Sequence, residues 1–187
     1  MLDHYNTCGY FKDFVIFEIK EDGKLYYQLI RDDADVRLLI DVDGNACLSI
    51  GGVSTTFPVS FMPAGGSTGI YWIDLTGDGR PEFIYEECWG GTGFNPINCM
   101  IFDGVTAEQL TIADFTENVE EAFADIAVVQ VCGIEGYVEN GELLAHSVVM
   151  LSDTGIQQYF GEATGRLIWN AKTRRFEVSG PMKIEIY

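Results

Sequence analysis

Short runs of β-branched and aromatic residues recur along this chain between Asp-Gly and Asn-Gly dipeptides, and that spacing restricts it to an architecture built from hairpins. Phe14-Val15-Ile16-Phe17-Glu18-Ile19-Lys20 and Lys24-Leu25-Tyr26-Tyr27-Gln28-Leu29-Ile30 flank Asp22-Gly23, a pair that tolerates the positive φ angles of a type I′ turn. Val36-Arg37-Leu38-Leu39-Ile40 and Ala46-Cys47-Leu48-Ser49-Ile50 are joined in the same way around Asp43-Gly44. Asn140-Gly141 is a third such turn, ahead of a strand from Leu143 to Met150. Arg166-Leu167-Ile168-Trp169-Asn170 and Arg175-Phe176-Glu177-Val178 form a further pair, and Met182-Lys183-Ile184-Glu185-Ile186 alternates as a last strand. Pro63-Ala64-Gly65-Gly66-Ser67-Thr68-Gly69 is too polar and flexible for a core element and is expected as a surface loop.

One segment departs from the strand period. Phe115, Val119, Ala122, Phe123 and Ile126 recur at helical spacing within residues 114–126. Asp114 is placed as N-cap, with Glu117 three residues on as in a capping box. The stripe reads as core packing. The expected fold class is therefore mainly β, with antiparallel hairpins forming a sandwich, barrel or small propeller-like sheet and one short helix. Hairpins fix neighbours but leave long-range strand order open. No linker or low-complexity tract divides the chain, so residues 1–187 read as a single β-rich domain, and 47% hydrophobic residues suffice for a core without external staples.

The acidic balance excludes some partners. Asp and Glu outnumber Lys and Arg by 29 to 11, giving a formal charge of -18. Affinity for DNA or RNA comes largely from Lys and Arg displacing counterions, so nucleic acid is not the expected partner. The field favours cations and basic proteins. No stretch is apolar for long enough to span a bilayer as a helix. Met1-Leu2-Asp3-His4 opens with an acid and lacks the basic start and apolar run of a signal peptide. The expected compartment is thus the cytoplasm, or the cell exterior or envelope if a signal peptide has been removed. Cys8, Cys47, Cys88, Cys99 and Cys132 contain no CxxC pair and are odd in number, which argues against a zinc ribbon and a complete disulfide framework. Cys88 and Cys99 are the exception, because a hairpin over the residues between them sets them roughly opposite each other, within reach of a disulfide in an oxidising compartment.

The segment that carries chemistry lies between two strand-like runs, Ile70-Tyr71-Trp72-Ile73 and Phe83-Ile84-Tyr85. It reads Asp74-Leu75-Thr76-Gly77-Asp78-Gly79-Arg80-Pro81-Glu82. Calcium is a hard cation that takes six to eight oxygens, and a loop supplies them from alternate positions if a glycine lets the chain turn sharply. Asp74, Thr76 and Asp78 are those alternate positions, and Gly79 is placed for the turn. Arg80 would offer its backbone carbonyl, and Glu82 would close the site with a carboxylate. The flanking strands and Tyr85 at the twelfth position exclude an EF-hand. A second acidic loop, Asp41-Val42-Asp43-Gly44-Asn45, has Ser49 at its ninth position and is more simply a hairpin.

Over residues 66–95 this pattern resembles the calcium loop of FG-GAP and VCBS-type repeats, the blade motif of integrin-α-like propellers. The resemblance implies calcium ligands at Asp74, Thr76, Asp78 and Glu82, with the carbonyl of Arg80. Thr76 stands where the family usually has Asp or Asn, and Glu82 where it usually has Asp, which implies a weaker site.

Trp89-Gly90-Gly91-Thr92-Gly93-Phe94 follows at once. No Gly-Lys-Ser/Thr completes a P-loop there. Small residues between two aromatic rings let a ligand approach the backbone, so Trp89, Gly90, Gly91, Thr92, Gly93 and Phe94 are the candidate ligand loop; its plainer reading is a hairpin tip. Glu86 and Glu87 alternate on a strand and point to opposite faces, so they do not pair as acid and base. His4 lies near the terminus, and His146 sits in an apolar strand as a satisfied core histidine. No nucleophile elbow, HExxH or nucleophile-and-base set is present. The sequence therefore points away from an enzyme and toward a calcium-binding β-rich recognition or adhesion-type module with a protein or glycan ligand. The alternative is an acidic inhibitor or immunity-type protein that masks a basic protein partner.

Overall fold

The structure is a computed structural model that describes residues 14–21, 24–59, 67–88, 97–152 and 159–187. Five strands, β1 (Val15–Glu21), β2 (Lys24–Arg31), β3 (Val36–Asp41), β4 (Asn45–Ile50) and β5 (Val53–Pro58), form an antiparallel meander in chain order. Its inner face follows from alternation: Val36, Leu38 and Ile40 are fully buried, while Arg37 and Leu39 face outward. Glu21 pairs with Lys24, as a two-residue turn requires, although residues 22 and 23 lie outside the described residues.

The second sheet has eight strands in the order β10-β11-β12-β13-β9-β8-β7-β6. They are β6 (Ser67–Ile73), β7 (Glu82–Cys88), β8 (Ile97–Phe102), β9 (Gln109–Ile112), β10 (Val129–Glu139), β11 (Glu142–Leu151), β12 (Tyr159–Asn170) and β13 (Arg175–Ile186). The chain runs β6 to β9 as one meander, crosses over through helix α1 (Thr116–Phe123), and returns from the far edge as a second meander, β10 to β13. The two meet where β13 pairs with β9 in parallel, at Arg175 with Thr111 and Phe176 with Ile112. Asn140 and Gly141 join β10 to β11 with φ of 53° and 83°, the left-handed pair that a type I′ turn demands.

β7 and β8 are buried on both faces. Phe83, Tyr85, Met100 and Phe102 pack against the five-stranded sheet, in one core with Leu29, Leu38, Leu48 and Phe57. Ile84 and Ile101 face a second core with Leu143, Ala145, Val149, Leu167 and Phe176, which Phe115, Val119 and Phe123 of the helical segment cover. This layering makes the fold sandwich-like and mainly β, with one short helix, as expected. The eight-stranded sheet also curls: β10 lies against β8, and the Val138 backbone N–H of that edge strand donates to the Glu86 carboxylate on β7.

Several expectations are corrected. Ser67, Thr68 and Gly69 belong to β6 and not to a loop. Arg175 to Val178 and Met182 to Ile186 are one strand; it bends at Gly180, where φ is 74°, beside a register shift at Thr164 and Arg166. α1 ends at Phe123, so Ile126 falls beyond it and is exposed. Phe115 occupies the cap position, while Asp114 accepts the Thr116 N–H at 2.8 Å as a turn preceding the helix. Cys88 pairs with Ile97, which places Cys99 opposite Glu86 and two residues out of register with Cys88; Cys99 is a free thiol.

Candidate metal centre

Residues 74–81 connect β6 to β7, with Ile73 and Glu82 as the last paired positions below the loop. Gly77 and Gly79 adopt φ of 76° and 84°, and this left-handed geometry folds the chain back on itself. The turn brings carboxylate oxygens of Asp74, Asp78 and Glu82 within 4.8 Å of one another. Ligands on opposite sides of a calcium ion lie about 4.6–5.2 Å apart, twice the usual Ca–O distance, so one ion can touch all three.

The loop also holds these acids by its own donors. Asp74 accepts the Gly77 N–H at 2.7 Å and the Gly79 N–H at 2.9 Å. Glu82, on the strand and buried, accepts the N–H groups of Leu75 at 2.6 Å and Thr76 at 3.1 Å, and the Thr76 hydroxyl at 3.1 Å. Asp78 accepts the Arg80 backbone N–H at 2.9 Å and its guanidinium at 3.0 and 2.5 Å. Burial holds the Glu82 carboxyl above its ordinary range, against the pull of the Leu75 and Thr76 donors. The Arg80 side chain holds Asp78 below its ordinary range and is itself raised in return.

Of the five residues singled out in the sequence, the structure therefore gathers Asp74, Asp78 and Glu82 into one carboxylate group. Thr76 braces Glu82 through its hydroxyl. Arg80 enters through its guanidinium, a role that the sequence reading did not contain. Beneath the loop, Gly104 sits against Pro81 and Trp72, where a Cβ would fall 1.7 Å from the Pro81 carbonyl oxygen. That turn is fixed by Asp103 Oδ1, which accepts the N–H groups of Val105 and Thr106. The Gly-rich residues Trp89, Gly90, Gly91, Thr92, Gly93 and Phe94 lie outside the described residues.

The second acidic loop is a capped hairpin. Asp41 Oδ1 accepts the backbone N–H groups of Asp43 at 3.0 Å and Asn45 at 2.8 Å, and Gly44, at φ 81°, gives its carbonyl to the Val59 N–H.

Sequence reasoning missed two buried acid clusters in the eight-stranded sheet. His146 is no satisfied core histidine: it is half-buried on the outer face of β11, with Nδ1 3.7 Å from Glu135 Oε2 and Nε2 3.2 Å from Glu162 Oε2. The Glu135 carboxylate beside it raises its pKa above the usual imidazole value, with burial opposing and the hydrogen-bonded Glu162 assisting. The signal was present, because counting outward from Asn140-Gly141 sets Glu135 opposite His146. Glu86 and Glu87 do face opposite sides, but both are buried. Burial pushes Glu86 up to about 7, against hydrogen bonds from Val138, Tyr71 and Cys99. Burial and the neighbouring Glu86 raise the Cys99 thiol in turn, which keeps it protonated and unsuited to nucleophilic work.

Comparison with known protein families, characterised proteins and solved structures gives no match for this chain. Among the described residues, no helix is long and apolar enough to cross a membrane.

Proposed function

We propose that residues 74–82 bind one calcium ion and that the domain is a recognition or adhesion-type module whose neighbouring loop the ion helps to fix. The observation that carries this reading is the convergence of Asp74, Asp78 and Glu82 within 4.8 Å. All three offer oxygen and none offers sulfur or nitrogen, a donor set that suits a hard divalent cation. The carboxylates repel one another, and a cation converts that repulsion into attraction. Arg80 already supplies one positive charge to Asp78, so calcium competes with a resident guanidinium. Together with a hydroxyl at Thr76 in place of a carboxylate, this favours the weak range of extracellular modules, a dissociation constant of about 0.1–1 mM. The ligand class is a protein or glycan met beside the ion.

At about 2 mM calcium, linkage gives about 0.6–1.8 kcal/mol of added stability, a melting shift of several degrees. Calorimetric titration and thermal melts with calcium or chelator measure it. Asp78→Ala abolishes the shift, whereas Asp43→Ala leaves it intact. The affinity falls on acidification, as buried Glu82 takes up a proton sooner than an exposed carboxylate. A melting temperature indifferent to both calcium and chelator refutes the site and leaves a turn capped by acids.

A second reading, the acidic inhibitor of a basic protein, is favoured by the outer face of α1. Glu117, Glu120 and Glu121 are exposed there, exposed Asp125 follows just past the helix end, and the last turn has no basic residue. Affinity capture separates the two: a basic protein released by salt supports the inhibitor, and a ligand lost with chelator supports the module.

A further inference from the structure

The eight-stranded sheet curls until its edge strand β10, paired with β11 alone, lies against β8 without a ladder between them. β8 in turn pairs with β9 only at Ile101 and Phe102, so among the described residues its first half has no strand partner on that side. Between these two free edges and the segment linking β9 to α1 opens a cavity of about 210 Å³. Strand alternation shows which backbone groups meet it. The Asp103 N–H donates to the Glu108 carbonyl, so Ile101, Cys99 and Ile97 aim their N–H and C=O groups to that same side of β8. From the free edge of β10 the Val138 N–H reaches the Glu86 carboxylate, so Gly136 and Ile134 also point outward from that edge. Ile97, Cys99, Ile134 and Gly136 all line the cavity. Val138 has a side-chain acceptor, whereas these four face a gap where a strand would otherwise bond them. Backbone donors and acceptors drawn away from bulk water without partners are costly.

The rest of the wall is apolar or uncharged. Ile112 and Phe115 supply apolar surface, and Asn98 is committed through its amide to Glu87 at 3.2 Å. Burial keeps the Cys99 thiol protonated, and Glu135 turns its carboxylate to His146 on the opposite face of β10. We propose that this seam binds a small neutral amide on an apolar or aromatic body, whose N–H and C=O pair with the strand-edge groups as a peptide unit would. The wall offers donors and acceptors together and aims no charge inward, so the ligand supplies both and carries none. Size sets the class further: an apolar cavity of about 150 Å³ accepts benzene, so this one has room for a ring and a carboxamide, and not for a strand running the length of the seam. The site shares no residue with the 74–82 loop, and its occupancy does not depend on calcium.

The test is an NMR titration of the full chain at neutral pH with benzamide, acetophenone and benzoate, three ligands of one shape. Benzamide is expected to bind saturably with a dissociation constant below about 1 mM, to shift the amides of Cys99, Ile134 and Gly136, and to slow their exchange with solvent. Acetophenone, which keeps the carbonyl and lacks the N–H, is expected to bind about fivefold more weakly or worse. Benzoate is expected to leave the three amides unmoved. Absence of saturable shifts at about 10 mM benzamide overturns the proposal. So does equal binding of acetophenone or benzoate, or a benzamide response centred away from these residues. An acetylated and amidated Val-Leu-Val tripeptide that binds about tenfold tighter than benzamide overturns it as well, because the seam then belongs to the strand of a partner.

Discussion

Glu86 makes the stability of this domain depend on pH in a direction opposite to that of an ordinary carboxylate. It is 8% exposed, and burial raises it from 4.5 to about 7. The folded state then holds a proton that the unfolded chain releases. Stability due to this group is full below about pH 4.5 and declines as pH rises, with the loss complete once pH passes about 7. Between pH 5 and 8 those two values correspond to a loss of about 2–3 kcal/mol. Glu86→Gln isolates the effect, since the amide oxygen can still accept the Val138 N–H while the titration is gone. Urea denaturation of both proteins at steps from pH 5 to 8 stays clear of the isoelectric point near 4.2. The gap between variant and native protein, and not the raw slope, is the readout, because every other titrating group is common to both. Glu86→Gln should match the native protein near pH 5 and exceed it by about 2 kcal/mol at pH 8. Parallel profiles across this range would refute the assignment of a buried, raised carboxyl at this seam.

His146 works in the same direction by a different route. Its folded pKa is raised by Glu135 and Glu162, so its contribution is present in acid and is lost as pH rises through the folded value. His146→Gln should therefore cost more stability at pH 6 than at pH 8, measured by the same denaturation series. Gly104→Ala places a Cβ against the Pro81 carbonyl, and the loop must move to admit it. Thermal melts should show a loss of about 1–3 kcal/mol, together with a smaller response to calcium, although Gly104 lies outside the acidic loop.

The parts of this fold that were legible in the sequence are those fixed by residues near one another in the chain. Asp43-Gly44 and Asn140-Gly141 specify their own backbone angles, and alternation in Val36-Arg37-Leu38-Leu39-Ile40 specifies which side is buried. The three carboxylates of the candidate centre are legible for the same reason, since nine consecutive residues contain them. Arg80 was readable only through its backbone carbonyl, because nothing in the local pattern says where a long side chain will fold. Glu86 was hidden for a different reason. Its burial depends on β10 arriving beside β8 after a crossover, and no local pattern encodes that meeting. The mismatch of Cys88 and Cys99 comes from the register of β7 and β8, where a shift of two residues keeps the face but changes the partner.

The parallel pairing of β9 with β13 has a consequence for the order in which this chain is made. Thr111 and Ile112 leave the ribosome roughly 60 residues before Arg175 and Phe176, which at about 5–20 residues per second is a delay of several seconds. During that interval the first meander has an open edge at β9, and its apolar inner face lacks Phe176 and Leu167. The nascent protein must wait with that edge bare until its last strand arrives, and chaperone binding during synthesis should concentrate there.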